Sequence, residues 1–226
     1  NLGRVGAAAG PSAIRRMMAN LPVDFSEAIQ LVDGGDITCG DAPVEAVQEA
    51  LGAAVARITS VGMFPVILGG GHDLTFGHYL GVRRSLAKDQ SLGVVNFDAH
   101  FDLRSARRGA SSGTSFWQMA RDAEEADGDF EYLCVGVQRS GNTVALFSRA
   151  RELGVEYILA RDVVEHRLDE VRTTIRRFSQ GVDSVMVTVD SDVMSSAFAP
   201  GVSSPQPMGL DPDTVARLLK HGGMQG

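Results

Sequence analysis

Residues 92–102 read LGVVNFDAHFD, a nearly continuous apolar run followed by Asp98, His100 and Asp102 at every second place. A short run of this kind fits a parallel strand covered on both faces. Four more stretches have the same character: Pro65–Leu68, Tyr132–Val137, Tyr157–Leu159 and Ser184–Val189. Helical spacing fills the intervals. Val47, Ala50, Leu51, Ala54, Val55 and Ile58 recur at steps of three and four, as do Leu168, Val171, Ile175 and Phe178. Residues 143–153 and 211–220 also read as helices, the second with Asp211 as N-cap and Pro212 at its first position. A further helix is expected from Pro11. Strand and helix in alternation predict an α/β fold with a mainly parallel sheet and right-handed crossovers. Neither linker nor repeat interrupts residues 1–226, so one domain is expected. The Pro- and Gly-rich stretch Ala199–Leu210 reads as a long irregular loop.

Composition narrows the function. Of 226 residues, 44% are hydrophobic, enough for a full core without staples. Lys and Arg number 21 against 28 Asp and Glu, a net charge of −7, which argues against nucleic acid as a partner. No apolar run reaches the length of a membrane span. The two cysteines, Cys39 and Cys134, form neither a disulfide framework nor a thiolate zinc motif, and a reducing, cytoplasmic setting is expected.

Ligands of α/β sheets bind outside the carboxyl ends of the strands. Three of the apolar runs end in titratable groups there. Pro65–Leu68 leads into Gly69-Gly70-Gly71-His72-Asp73, Leu92–Phe97 into Asp98, His100 and Asp102, and Ser184–Val189 into Asp190-Ser191-Asp192. Side chains of a strand alternate faces, so continued extension would turn Asp98, His100 and Asp102 one way, and Asp190 and Asp192 likewise. Singly, each motif has an ordinary explanation: a tight turn, a solvated loop, a helix cap. Jointly, they bring four carboxylates and two imidazoles to one crevice. Clustered carboxylates repel unless something positive lies between them. Two divalent cations answer that need, and an oxygen-rich set with some imidazole suits Mn²⁺. A pair of ions about 3.5 Å apart lowers the pKa of a shared water toward neutrality.

These motifs, in this order, resemble the arginase–agmatinase–formimidoylglutamase family of ureohydrolases. The likeness covers nearly the whole chain: GRVGAAAGPSAIR at residues 3–15, GGGHD at 69–73, NFDAHFDLR at 96–104 and VTVDSDVMSSAFAPGVSSPQPMGL at 187–210. It implies a three-layer α/β/α sandwich and a binuclear Mn²⁺ centre. By the resemblance, His72 and Asp102 bind one ion, His100 and Asp192 the other, and Asp98 and Asp190 bridge them. Asp102 would also be catalytic, orienting the attacking hydroxide. A homo-oligomer is usual in the family.

HYLGVRR at 78–84, SSGTSFWQ at 111–118 and CVGVQRSGNTVALF at 134–147 place the likeness nearest the formimidoylglutamase branch. That implies hydrolysis of N-formimidoyl-L-glutamate to L-glutamate and formamide, in histidine degradation. Arginases carry a proton-shuttling His-Gly pair where this chain has Ser112-Gly113. Arg104, two residues past Asp102, is a candidate for a substrate carboxylate, since a guanidinium fork matches a carboxylate and repels a guanidinium substrate. Arg139 and Asn142 are further candidates, with Ser112. The alternatives are a guanidino hydrolase of the agmatinase or guanidinobutyrase kind and, in another class, a non-catalytic metal-binding subunit. The chain starts at Asn1 and ends in a Gly-rich tail, and the natural protein is expected to extend beyond both ends.

Overall fold

The computed structural model describes residues 6–22 and 29–221. In chain order its main elements are α1 (Gly10–Met18), α2 (Val44–Ser60), α3 (Leu74–Ser85), β1 (Leu92–Phe97), α4 (Ser115–Glu125), β2 (Glu131–Val137), α5 (Val144–Glu152), β3 (Glu156–Leu159), α6 (Leu168–Gln180), β4 (Ser184–Val189) and α7 (Pro212–His221). All strand pairs are parallel, in the order β3-β2-β1-β4. Local chemistry sets the helix starts. Thr143 caps α5 by accepting from Leu146 N–H. Asp211 Oδ1 accepts from Asp213 N–H at 2.8 Å at the start of α7.

The period of two along β1 divides the core into two layers. Val94 packs with Tyr132, Cys134 and Met186 beneath Tyr79 of α3, Phe116 and Met119 of α4, and Leu146 and Ala150 of α5. Val95 and Phe97 face the other side, with Leu133 and Val135, against α6 and α7 through Ile175, Phe178, Val215 and Leu218. Helices thus cover both faces of the sheet, which makes a three-layer α/β/α sandwich. Register then sets the site. Asp98 N–H donates to Val135 O at 3.0 Å and Asp190 N–H to Phe97 O at 2.9 Å, so β1 and β4 deliver Asp98 and Asp190 side by side at their carboxyl ends.

One expected strand is corrected. Pro65–Leu68 belongs to no sheet. It faces β4 across a slot of about 740 Å³, lined on one side by Phe64–Gly71 and on the other by Ser184–Ser191. A strand exists through its ladder, and among the described residues nothing in the slot supplies one to Pro65–Leu68 or to the outer edge of β4. Val66 within it and Phe64 just before it are left largely exposed instead. Hydrogen exchange gives a direct check. The central strand β1 is expected to retain its amide protons far longer than β4. Equal protection of β4 in the isolated chain would mean that its outer edge is covered.

Candidate metal centre

Six groups gather at this end of the sheet, placed by several backbone devices. His72 follows the Gly69–Gly71 turn and precedes α3. Gly70 in that turn packs against the Ala7 carbonyl of the segment leading to α1, where a Cβ would overlap the oxygen. Asp98 continues straight from β1 and is fully buried. Asp102 arrives with φ +47°, so the extended alternation predicted through residue 102 breaks there. Nor are Asp190 and Asp192 on an extended segment: Ser191–Val193 is a 3₁₀ turn, and Asp190 Oδ1 accepts from Asp192 N–H at 2.9 Å. The side chains still converge.

His72 Nδ1 lies 3.0 Å from Asp102 Oδ2, 3.2 Å from Asp98 Oδ2 and 3.5 Å from Asp190 Oδ2. His100 Nδ1 lies 3.1 Å from Asp192 Oδ2 and 3.4 Å from Asp98 Oδ1. Two potential ligand groups result, His72–Asp98–Asp102–Asp190 and Asp98–His100–Asp192, each with its donor atoms within 4.8 Å of one another. Asp98 belongs to both and turns one oxygen to each. Asp190 falls in the His72 group.

The donor set fits divalent cations. Asp192 Oδ1 is buried and has no hydrogen-bond partner among the described residues, a lone pair costly to leave empty. Electrostatics points the same way. Burial pushes the carboxyls of Asp102, Asp190 and Asp192 up to about 6, with the Asp98 charge adding to each rise. Burial opposes charge on the imidazoles, but hydrogen bonds donated to the Asp102 and Asp98 carboxylates outweigh it and hold His72 well above its ordinary value. Asp192 and Asp98 likewise raise His100 to about 11. Asp98, although buried, is held below the carboxylate range by both imidazoles. Without cations, protons do their work of neutralising the cluster.

The sign of the pH dependence follows. A group whose pKa rises on folding contributes stability below its unfolded value and loses it as pH climbs through the folded value. For the three carboxyls that window runs from their ordinary value up to about 6, and for His100 from the ordinary imidazole value to about 11. Cation binding requires deprotonated ligands and reverses the trend. The chelator-treated protein is therefore expected to melt at higher temperature at mildly acidic than at mildly alkaline pH, with Mn²⁺ raising Tm most on the alkaline side. A cation-induced rise in Tm that is larger in acid would contradict this assignment.

Sequence reasoning missed the groups behind these six. Asn96, fully buried within β1, donates through Nδ2 to Asp98 Oδ2 at 3.1 Å and to Tyr132 Oη at 3.0 Å. A lone amide inside an apolar run was the available signal. Thr188 lies 3.0 Å from His72 Nε2, and Ser204 and Gln206 of the Pro-rich loop lie 3.3 and 3.5 Å from His100 Nε2.

The expected substrate residues divide. Arg104 is exposed, makes no ion pair among the described residues, and lays its Cδ against Gly113. Ser112 is exposed in the adjoining 3₁₀ turn. The Arg139 guanidinium stacks 5.5 Å from the Phe147 ring centroid. Asn142 is corrected. It is buried, accepts from Phe101 N–H at 3.0 Å, and donates to Ala99 O at 2.9 Å and Gln138 O at 2.8 Å. Its amide is committed to bracing the backbone around His100, so it is no substrate ligand.

The model of the arginase family matches residues 1–224, and the chain belongs to that family. The formimidoylglutamase of Clostridium tetani is 43% identical over 225 residues, covering 98% of this chain and 67% of its own length. Among solved structures, Trypanosoma cruzi formiminoglutamase with Mn²⁺ superposes with a TM-score of 0.81 at 26% identity, over 96% of this chain and 73% of that one. The agmatine ureohydrolase of Thermoplasma volcanium gives a TM-score of 0.76 at 27% identity, over 97% and 72%. No helix among the described residues is long and apolar enough to cross a membrane.

Proposed function

We propose that this protein hydrolyses N-formimidoyl-L-glutamate, with water, to L-glutamate and formamide, using two Mn²⁺ ions held by His72, Asp98, His100, Asp102, Asp190 and Asp192. The observation that carries the reading is Asp98, whose two oxygens face two different imidazoles from one buried position. When bound, such ions supply a hydroxide nucleophile at neutral pH. The chain's own groups do the rest. Asp102 closes the His72 side and accepts a hydrogen bond from the attacking water, aiming its lone pair at the formimino carbon. Arg104 and Arg139, neither ion-paired among the described residues, receive the glutamate carboxylates. The C–N bond to the glutamate nitrogen breaks as that nitrogen takes a proton and leaves as the amine. Histidine degradation is the setting this chemistry fits, and a cytoplasmic homo-oligomer completes the proposal.

Likeness to an agmatine ureohydrolase keeps a second reading in view, hydrolysis of a guanidino substrate. Two guanidiniums without an ion pair among the described residues disfavour a cationic substrate. Formimidoylglutamate, agmatine and arginine, each incubated with Mn²⁺ and the protein, separate the readings. Formamide from the first substrate alone supports the proposal. Urea from either of the others supports the second reading, and no release at all supports a non-catalytic subunit.

A further inference from the structure

We infer that Thr188 and Ser204 are positioning residues, each fixing one ligand imidazole as the tautomer with bare Nδ1 and protonated Nε2. A neutral imidazole has one N–H, and the group facing the far nitrogen decides which nitrogen remains free for a cation. Both Nδ1 atoms face carboxylates here, so both must be bare for the cluster to hold ions.

On the first side, His72 Nε2 lies 3.0 Å from Thr188 Oγ1. That oxygen lies 3.5 Å from Oγ1 of Thr75, a fully buried residue in the first turn of α3. Nε2–H donates to Thr188, and the Thr188 hydroxyl proton turns toward Thr75. On the second side, His100 Nε2 has two polar neighbours. Gln206 presents its amide nitrogen at 3.5 Å, and that nitrogen is held by Ser204 O at 3.1 Å and Ser204 Oγ at 3.2 Å. An amide N–H₂ cannot accept from Nε2–H. Ser204 Oγ, at 3.3 Å, is the acceptor that remains. Gly141 makes room for the ring: a Cβ there would stand 3.0 Å from His100 Nε2. One hydroxyl rides on β4 and the other on the Pro-rich loop, so the two imidazoles are oriented independently.

This inference rests on the two-ion reading, and titration with Mn²⁺ tests them separately. Unbound Mn²⁺ is counted by its electron paramagnetic resonance signal, with the purified chain in wild-type form and as Thr188→Val, Thr188→Ser, Ser204→Ala and Ser204→Thr. Two ions per wild-type chain support the reading; fewer overturn it, and the inference with it. Given two, Thr188→Val is expected to weaken one ion roughly 10–100-fold and Ser204→Ala the other, each sparing its neighbour. The hydroxyl-keeping variants Thr188→Ser and Ser204→Thr are expected to bind as wild type. Val is isosteric with Thr, so packing survives in Thr188→Val while the acceptor is lost. Unchanged affinities in Thr188→Val and Ser204→Ala would overturn the inference. So would equal losses in Thr188→Val and Thr188→Ser, which would mark the effect as one of packing.

Discussion

Asp98→Asn is expected to empty the site of both ions and to lower kcat/KM on the order of 10³-fold, the several kcal/mol that a metal centre contributes to a hydrolytic transition state. Asp98 is the one side chain common to both ligand groups. Its Oδ2 faces His72, its Oδ1 faces His100, and the same Oδ1 accepts from His100 N–H at 2.7 Å. An amide at this position lacks the charge and has only one acceptor atom. Its N–H₂ would also meet either the Asn96 amide or the His100 N–H, donor against donor. Asp190→Asn is expected to do less, removing the ion on the His72 side first. Elemental analysis of manganese per chain, with circular dichroism as a check on folding, reads both outcomes. Two ions retained by a folded Asp98→Asn variant would sink the assignment.

Legibility of the sequence followed the physics of each element. β1 was readable because a strand buried on both faces has no polar face to confuse its pattern, and the titratable groups begin where the run stops. Pro65–Leu68 has the same composition, yet composition reports burial tendency and not ladder partners, and its partner edge is absent from the sheet described. The clustered groups were legible as residue types at strand ends, although the argument from alternation was wrong at Asp102 and at Asp192. A left-handed residue and a 3₁₀ turn bring them in, and neither conformation shows in a period of two. Asn142 misled for a related reason. An Asn after a strand has the same chemistry whether it meets a substrate or a backbone, and only the fold shows three backbone partners taking its amide. Thr188, Ser204 and Gln206 were invisible because their roles depend on contacts across more than 100 residues of chain.

For substrate recognition the expected result is that Arg104→Ala raises KM for formimidoylglutamate roughly 10- to 150-fold, the 1.5–3 kcal/mol of a lost charge-assisted hydrogen bond, with kcat nearly unchanged. Arg104 follows Asp102 of the cluster by two residues, and its guanidinium is neutralised by no carboxylate among the described residues. Its stem lies on Gly113, and its N–H donates to Gly113 O at 2.9 Å, which ties the ligand loop to the turn holding Ser112. Truncation at Cβ leaves that backbone bond intact and removes the charge. A binding role and a loop-bracing role therefore separate. If the guanidinium receives a substrate carboxylate, a neutral amidine without carboxylates is hydrolysed equally well by Arg104→Ala and wild type. If Arg104 instead braces the Asp102 loop, both substrates lose rate together and Mn²⁺ affinity falls with them. Equal losses on the two substrates would transfer carboxylate recognition to Arg139, whose guanidinium is stacked on Phe147 and two residues from the Gly141 that abuts His100.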